Sequence, residues 1–82
     1  MTSEAIFNKL QPIIATYLPE YVSAAHINLD ADLTGELNIN SAHLVDVILD
    51  VEDAFDIELS NQDMESLRTV NDAIAIIKSK ID

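Results

Sequence analysis

The chain has 82 residues, no cysteine, and fifteen Asp and Glu against four Lys and Arg, for a net charge of −11. That charge excludes nucleic acid and anionic membrane as partners, since both require the opposite sign, and it favours basic partners. The missing cysteines exclude a disulfide framework, a thiolate metal site and a Cys nucleophile, and the length allows one domain, over residues 1–82.

Met1-Thr2-Ser3-Glu4 is no basic leader ahead of an apolar run, so no signal peptide is expected. The longest apolar run, Ala73 to Ile77, is too short to cross a bilayer. A cytoplasmic protein without membrane insertion is therefore expected. Disorder, the usual reading of a strongly acidic chain, conflicts with 49% hydrophobic residues, one Gly and two Pro.

From Ser3 to Leu18, Ile6, Phe7, Leu10, Ile13, Ile14, Tyr17 and Leu18 share one stripe at helical spacing, with Ser3 as N-cap. Pro12 removes a hydrogen bond and crowds the preceding turn, which predicts a kink between Asn8 and Pro12. The stripe keeps its phase, so no break is expected, and Pro19 stops the helix. Periodicity then lapses to Asn40. Val22, Ile27, Leu29, Leu33 and Leu37 are spaced as anchors for a long loop, with Gly35, Asn28, Asn38 and Asn40 as turn formers.

The second helix, Ser41 to Asp56, places Leu44, Val47, Ile48, Val51, Ala54 and Phe55 on its core face. Ser60 and Asp63 form a capping-box pattern that opens a short third helix through Leu67. Thr69 and Asp72 repeat the pattern for a last helix with Val70, Ala73, Ile74, Ile77 and Ile81 inward. Lys78 and Lys80 fall in its final turns, where the dipole favours cations. The sum is an all-α bundle of four helices, with a long loop between the first two and a short third helix.

Ser41, at the loop–helix junction, is the residue whose chemistry stands out. An anionic group on its hydroxyl would face the unpaired N–H groups of the helix's first turn. Catalysis is not expected: His43 is two residues on and does not face Ser41, and no oxyanion-hole glycine motif accompanies it. His26 and His43 read as surface residues, too few for a metal site. Asp30-Ala31-Asp32-Leu33-Thr34-Gly35 imitates the start of a calcium loop. The twelfth position is Ser41 instead of Glu, however, so these residues read as turn formers with weak cation binding at most.

On the outer side of the second helix, Ala42, Val45 and Leu49 form a narrow apolar cluster flanked by Asp46, Glu52, Asp53 and Asp56. The helix carries no Lys or Arg to balance its carboxylates. A docking face for a basic partner is the expectation.

With Ser41 at that junction, followed by Leu44 through Leu59, the chain resembles the acyl carrier proteins over nearly its whole length. The family's Glu-x-x-Phe-x-Ile-x-Ile/Leu ending matches Glu52 to Leu59. The resemblance implies that Ser41 carries 4′-phosphopantetheine, whose thiol holds acyl groups as thioesters. It also implies a monomer that is no enzyme. Its partners would be a phosphopantetheinyl transferase and acyl-transferring or synthase enzymes with basic docking patches, met by Asn40, Ala42, Val45, Asp46, Leu49, Glu52 and Asp53. Leu44, Ile48, Leu59, Met64, Leu67 and Ile74 are the candidates to line an acyl-binding interior.

The family's Asp-Ser-Leu core reads Asn40-Ser41-Ala42 here, the Gly three before the serine is Asn38, and an often acidic position is His43. These departures point to a specialised carrier for a dedicated fatty-acid, lipid or polyketide-type pathway. A peptidyl or aminoacyl carrier is the alternative within the class, although such domains usually show Gly-Gly before the motif and are less acidic. Outside the class, the alternative is a non-carrier acidic helical interaction module.

Overall fold

The computed structural model describes residues 2–81. Its elements are α1 (Ser3–Thr16), a turn of 3-10 helix at Ala24–His26, α2 (Ser41–Phe55), α3 (Asn61–Glu65) and α4 (Val70–Ile81). Among the described residues there is no named strand, only one antiparallel bridge between Asp32 and Thr69. This is the expected all-α arrangement of four helices.

The α1 helix passes Pro12 unbroken, and Ile6, Leu10 and Ile14 of its stripe are buried. Its N-cap is Thr2, whose hydroxyl accepts the Ala5 N–H at 3.1 Å, and not Ser3 as the sequence suggested. The cap must stay extended while its oxygen reaches the amide three residues on, and Thr2 is the residue that does so. The helix stops at Thr16, two residues short of the expected Leu18, and Tyr17 forms the C-cap.

α1 packs against both α2 and α4. From α2 come Val47, Ile48, Val51 and Phe55; from α4 come Val70, Ala73, Ile74 and Ile77. Lys9 reinforces the first contact from outside. Its ammonium donates to the Ala54 carbonyl at 2.6 Å and lies 4.8 Å from the Phe55 ring centroid, so a cation meets the negative end of α2.

The long loop is built into the core. Ile27, Ala31, Leu33, Leu37 and Ile39 are all buried, five of the sixteen buried apolar residues among those described. Leu29, expected as an anchor, is instead 47% exposed. Its carbonyl accepts the Asn71 N–H, and this backbone link holds the chain there without the side chain. Neighbouring bonds run from Leu33 N–H to the Arg68 carbonyl and from Val70 N–H to the Ala31 carbonyl. The loop is thus laced to the start of α4.

Asp32 shapes the turn between these links. Its carboxylate accepts from the Thr34 N–H and hydroxyl and from the Gly35 N–H, while its carbonyl accepts from Glu36 and Leu37. These contacts hold its pKa below the ordinary value, the Gly35 N–H first among the causes. A Cβ on Gly35 would sit 3.2 Å from the Asp32 carboxyl group, a tight contact that would require that side chain to shift. Asp30 accepts from the Asn71 amide at 3.1 Å. Asp32 thus acts as a turn former, as its spacing suggested, whereas the Asp30 carboxylate ties the loop to α4.

Both capping boxes form. Ser60 and Asp63 exchange side-chain to backbone bonds around the start of α3, and Thr69 and Asp72 do the same before α4. α3 ends at Glu65, two residues before the expected Leu67. Asp56, expected as the last residue of the second helix, is its C-cap in the left-handed region at φ 54°. A Cβ is strained there and a carboxylate opposes the helix dipole. Asp56→Gly should stabilise the fold by about 1 kcal/mol from the backbone relief alone. Urea denaturation checks this, and unchanged stability would mean that local contacts of Asp56 offset its strain.

Candidate functional site

Asn38, Ile39 and Asn40 set the approach to Ser41. Asn38 takes a positive φ of 54°, the conformation that glycine adopts freely and asparagine tolerates best among other residues. The turn returns the chain inward, so Ile39 is buried and its N–H donates to the Leu33 carbonyl at 3.0 Å. Asn40 is the N-cap of α2, with its side-chain oxygen accepting the His43 N–H at 2.9 Å. The neutral amide thus does the capping that an aspartate would do.

Ser41 is exposed as the first residue of α2. The Leu44 N–H goes to the Asn40 carbonyl at 2.8 Å, and the His43 N–H to the Asn40 side chain. Helix geometry leaves the Ser41 and Ala42 N–H groups without intrahelical acceptors. An exposed hydroxyl beside two free donors at a positive dipole end suits a phosphodiester, and nothing buried obstructs it. His43 is exposed, turned toward the Tyr17 ring at a centroid distance of 6.0 Å.

The outer face of α2 is arranged as its spacing indicated. Ala42, Val45, Asp46, Leu49 and Asp53 are exposed, Val45 and Leu49 at 52% and 55%. Two of the helix's other carboxylates are engaged elsewhere. Asp50 accepts the Tyr17 hydroxyl at 2.6 Å, a bond that, with desolvation and the Asp50 and Asp46 charges, pushes the tyrosine pKa up to about 12. Glu52 is half-buried, and its carboxylate accepts the Leu59 N–H at 2.8 Å. Residue spacing placed Glu52 on the rim of the docking face but gave no sign of this second role, because the partner is a backbone group seven residues on.

Behind the face lies an apolar cavity of about 20 Å³, room for little more than one water-sized guest. Ile48, Leu59 and Leu67 line it as expected, joined by Val51, Ile76 and Ile77. Leu44, Met64 and Ile74 do not line it. Ile74 instead borders a groove with Phe7 and Leu29 on another side.

Asp63 is ion-paired with Lys80 at 2.8 Å, and that pair with the Ser60 N–H bond brings its pKa down to about 2. A depressed carboxylate pKa contributes stability above the unfolded value near 4, which is lost as pH falls toward 2. Repulsion among the remaining carboxylates acts the other way from neutral pH downward. The melting temperature should therefore rise from pH 7 to about 5, then fall below about pH 4, and magnesium, calcium or added salt should raise it at pH 7. Calorimetry at several pH values and ionic strengths checks this. Indifference to ionic strength would show that repulsion is unimportant.

The exposed serine on a capped helix N-terminus, within four helices laced by a long loop, defines a carrier architecture, and comparison with known proteins agrees. Residues 8–77 match the family model described as the phosphopantetheine attachment site. The acyl carrier protein of Coprothermobacter proteolyticus is 35% identical over 81 residues, covering 99% of this chain and 96% of that protein. That of Lactobacillus johnsonii is 34% identical over 79 residues, 96% of each chain, and that of Chlamydia felis 41% over 59 residues, 72% and 76%. The chain belongs to the acyl carrier protein family. Its members are carriers and not enzymes; they bear phosphopantetheine and interact with synthases and acyl-transferring enzymes.

Proposed function

We propose that Ser41 is the attachment residue and that this chain is a specialised acyl carrier, one domain over residues 1–82, working as a cytoplasmic monomer. The observation that carries this reading is the exposed Ser41 hydroxyl at the first position of α2, beside free first-turn N–H groups and inside the matched span. The radius of gyration, 11.5 Å, supports one domain, for which a chain of this length gives about 12 Å. When bound, the phosphopantetheine supplies the thiol on which acyl groups are held as thioesters. The chain's own residues position and shield: Asn40 fixes the helix start, the Ser41 and Ala42 amides meet the phosphodiester, and the apolar interior offers shelter to a guest chain.

Ala42, Val45 and Leu49, with Asn40, Asp46 and Asp53, form the docking face of this reading, with Glu52 on its flank. Exposed apolar groups ringed by carboxylates suit enzymes with basic patches around an apolar contact. Specialisation is supported by Asn40, Ala42, Asn38 and His43, which depart from the common core without disturbing the cap or the fold.

The test is intact mass after incubation with a phosphopantetheinyl transferase and coenzyme A. One phosphopantetheine is expected on the wild-type chain and none on Ser41→Ala. Modification that persists in the variant overturns the assignment.

A further inference from the structure

His43 breaks the charge pattern of α2. Every other titratable side chain of that helix is a carboxylate: Asp46, Asp50, Glu52 and Asp53. Helical spacing puts His43 on the flank of the outer face, one turn ahead of Asp46 and two ahead of Asp50 on the same side. The exposed ring lies against α1, its centroid 6.0 Å from that of Tyr17, the C-cap of α1. Tyr17 is itself anchored, since its hydroxyl donates to Asp50 at 2.6 Å, and the Asp46 and Asp50 charges both act on it. The groups facing His43 are thus Tyr17 from α1 and two aspartates of its own helix. Among the described residues no Lys or Arg forms an ion pair with either aspartate. Ser41 is two residues away.

We propose that His43 is a specificity-determining residue for docking: neutral, it leaves the Ser41 end of the outer face to the carboxylates; protonated, it sets a cation among them and turns away enzymes whose basic groups approach that end. This rests on the docking-face reading given above. Imidazole is the side chain that ordinarily changes charge between pH 5 and 8, a range over most of which carboxylates stay anionic. An imidazolium at this place shares the charge of Asp46 and Asp50. A basic enzyme then meets less attraction where it must bring its active site to Ser41. One charge at a solvent-exposed rim alters an encounter by a factor of a few at low salt, and by less as salt is added. The anchored Tyr17 ring keeps the imidazole on this flank, so the charge is delivered at one place on the face and not spread over the chain.

The experiment measures the initial rate at which a phosphopantetheinyl transferase with a basic surface patch loads the full chain from coenzyme A. Wild type and His43→Gln are compared between about pH 6 and about pH 8 at low ionic strength. Taking the ratio of the two rates cancels the transferase's own pH profile. That ratio should fall about threefold from the upper to the lower pH, and the fall should fade as salt is added. Its midpoint should match that of the His43 ring protons, followed by NMR in the same buffer. His43→Asp should be loaded faster than wild type, and by a larger factor at the lower pH. The ratio of wild type to His26→Gln, a change at the exposed loop histidine, should stay flat. A flat ratio for His43→Gln, an equal fall for His26→Gln, or a fall that persists at high salt overturns the proposal. Absence of loading on every chain removes the carrier reading and this proposal together, whereas normal loading with a flat ratio removes this proposal alone.

Discussion

Truncating Ile39 to alanine should destabilise the protein by about 2–5 kcal/mol, as much as a truncation in the middle of a helix. Ile39 lies outside every helix, yet it is 1% exposed, and its N–H is bonded to the Leu33 carbonyl. Alanine leaves a void that the loop cannot close, because Leu37 on one side and the α2 cap at Asn40 on the other are both fixed. In a domain this small such a loss is a large share of the total stability. Denaturant titration should show a lower midpoint with an unchanged slope. Leu29→Ala, at a residue 47% exposed, should stay within about 0.5 kcal/mol of wild type. A loss below about 1 kcal/mol for Ile39→Ala would show that the loop rests on the bundle without supporting it.

Reversing Asp46 and Asp53 to lysine together should slow modification by a basic-surfaced transferase about tenfold or more at low ionic strength. Both carboxylates are exposed on the outer face of α2 around Val45 and Leu49. The difference from wild type should shrink as salt is added, because screening removes the attraction that wild type alone enjoys. Glu52 is left untouched, since reversing it would also free the Leu59 N–H. Glu20→Lys with Glu65→Lys, equal in charge and off this face, serves as the control. Equal rates for the two double variants would reduce the effect to net charge and refute a localised face.

What could be read from residues alone was local. The core face of α2, the two capping boxes and the turn at Asp32 each depend on groups within about four positions of one another, a range over which spacing and side-chain chemistry decide geometry. The exposure of Ala42, Val45 and Leu49 followed from the same spacing. Features that needed the tertiary fold stayed hidden. Ala31 and Ile39 gave no periodic signal, because they are held by non-helical bonds, Ala31 to Val70 of α4 and Ile39 to Leu33 within the loop. Lys9 carried no signal of its own, because only the packing of α1 against α2 brings it to Ala54 and Phe55. Leu44, Met64 and Ile74 had the hydrophobicity of cavity residues, but which way each wall faces is set by how α3 and α4 dock. Ser3 read as the cap of α1, and the backbone geometry gives that role to Thr2 one residue earlier.

The hydrogen bonds that lace the loop to the start of α4 impose an order on how this protein is made. Leu33 and Ala31, which shape the approach to Ser41, bond with Arg68 and Val70 from the last quarter of the chain. A nascent polypeptide that has exposed only the first two helices has the serine but lacks the backbone that fixes its approach. Long-range closures of this kind come late in folding, since their entropy must be offset by contacts not yet formed. The loop that leads to Ser41 therefore takes its final form only after α4 has left the ribosome.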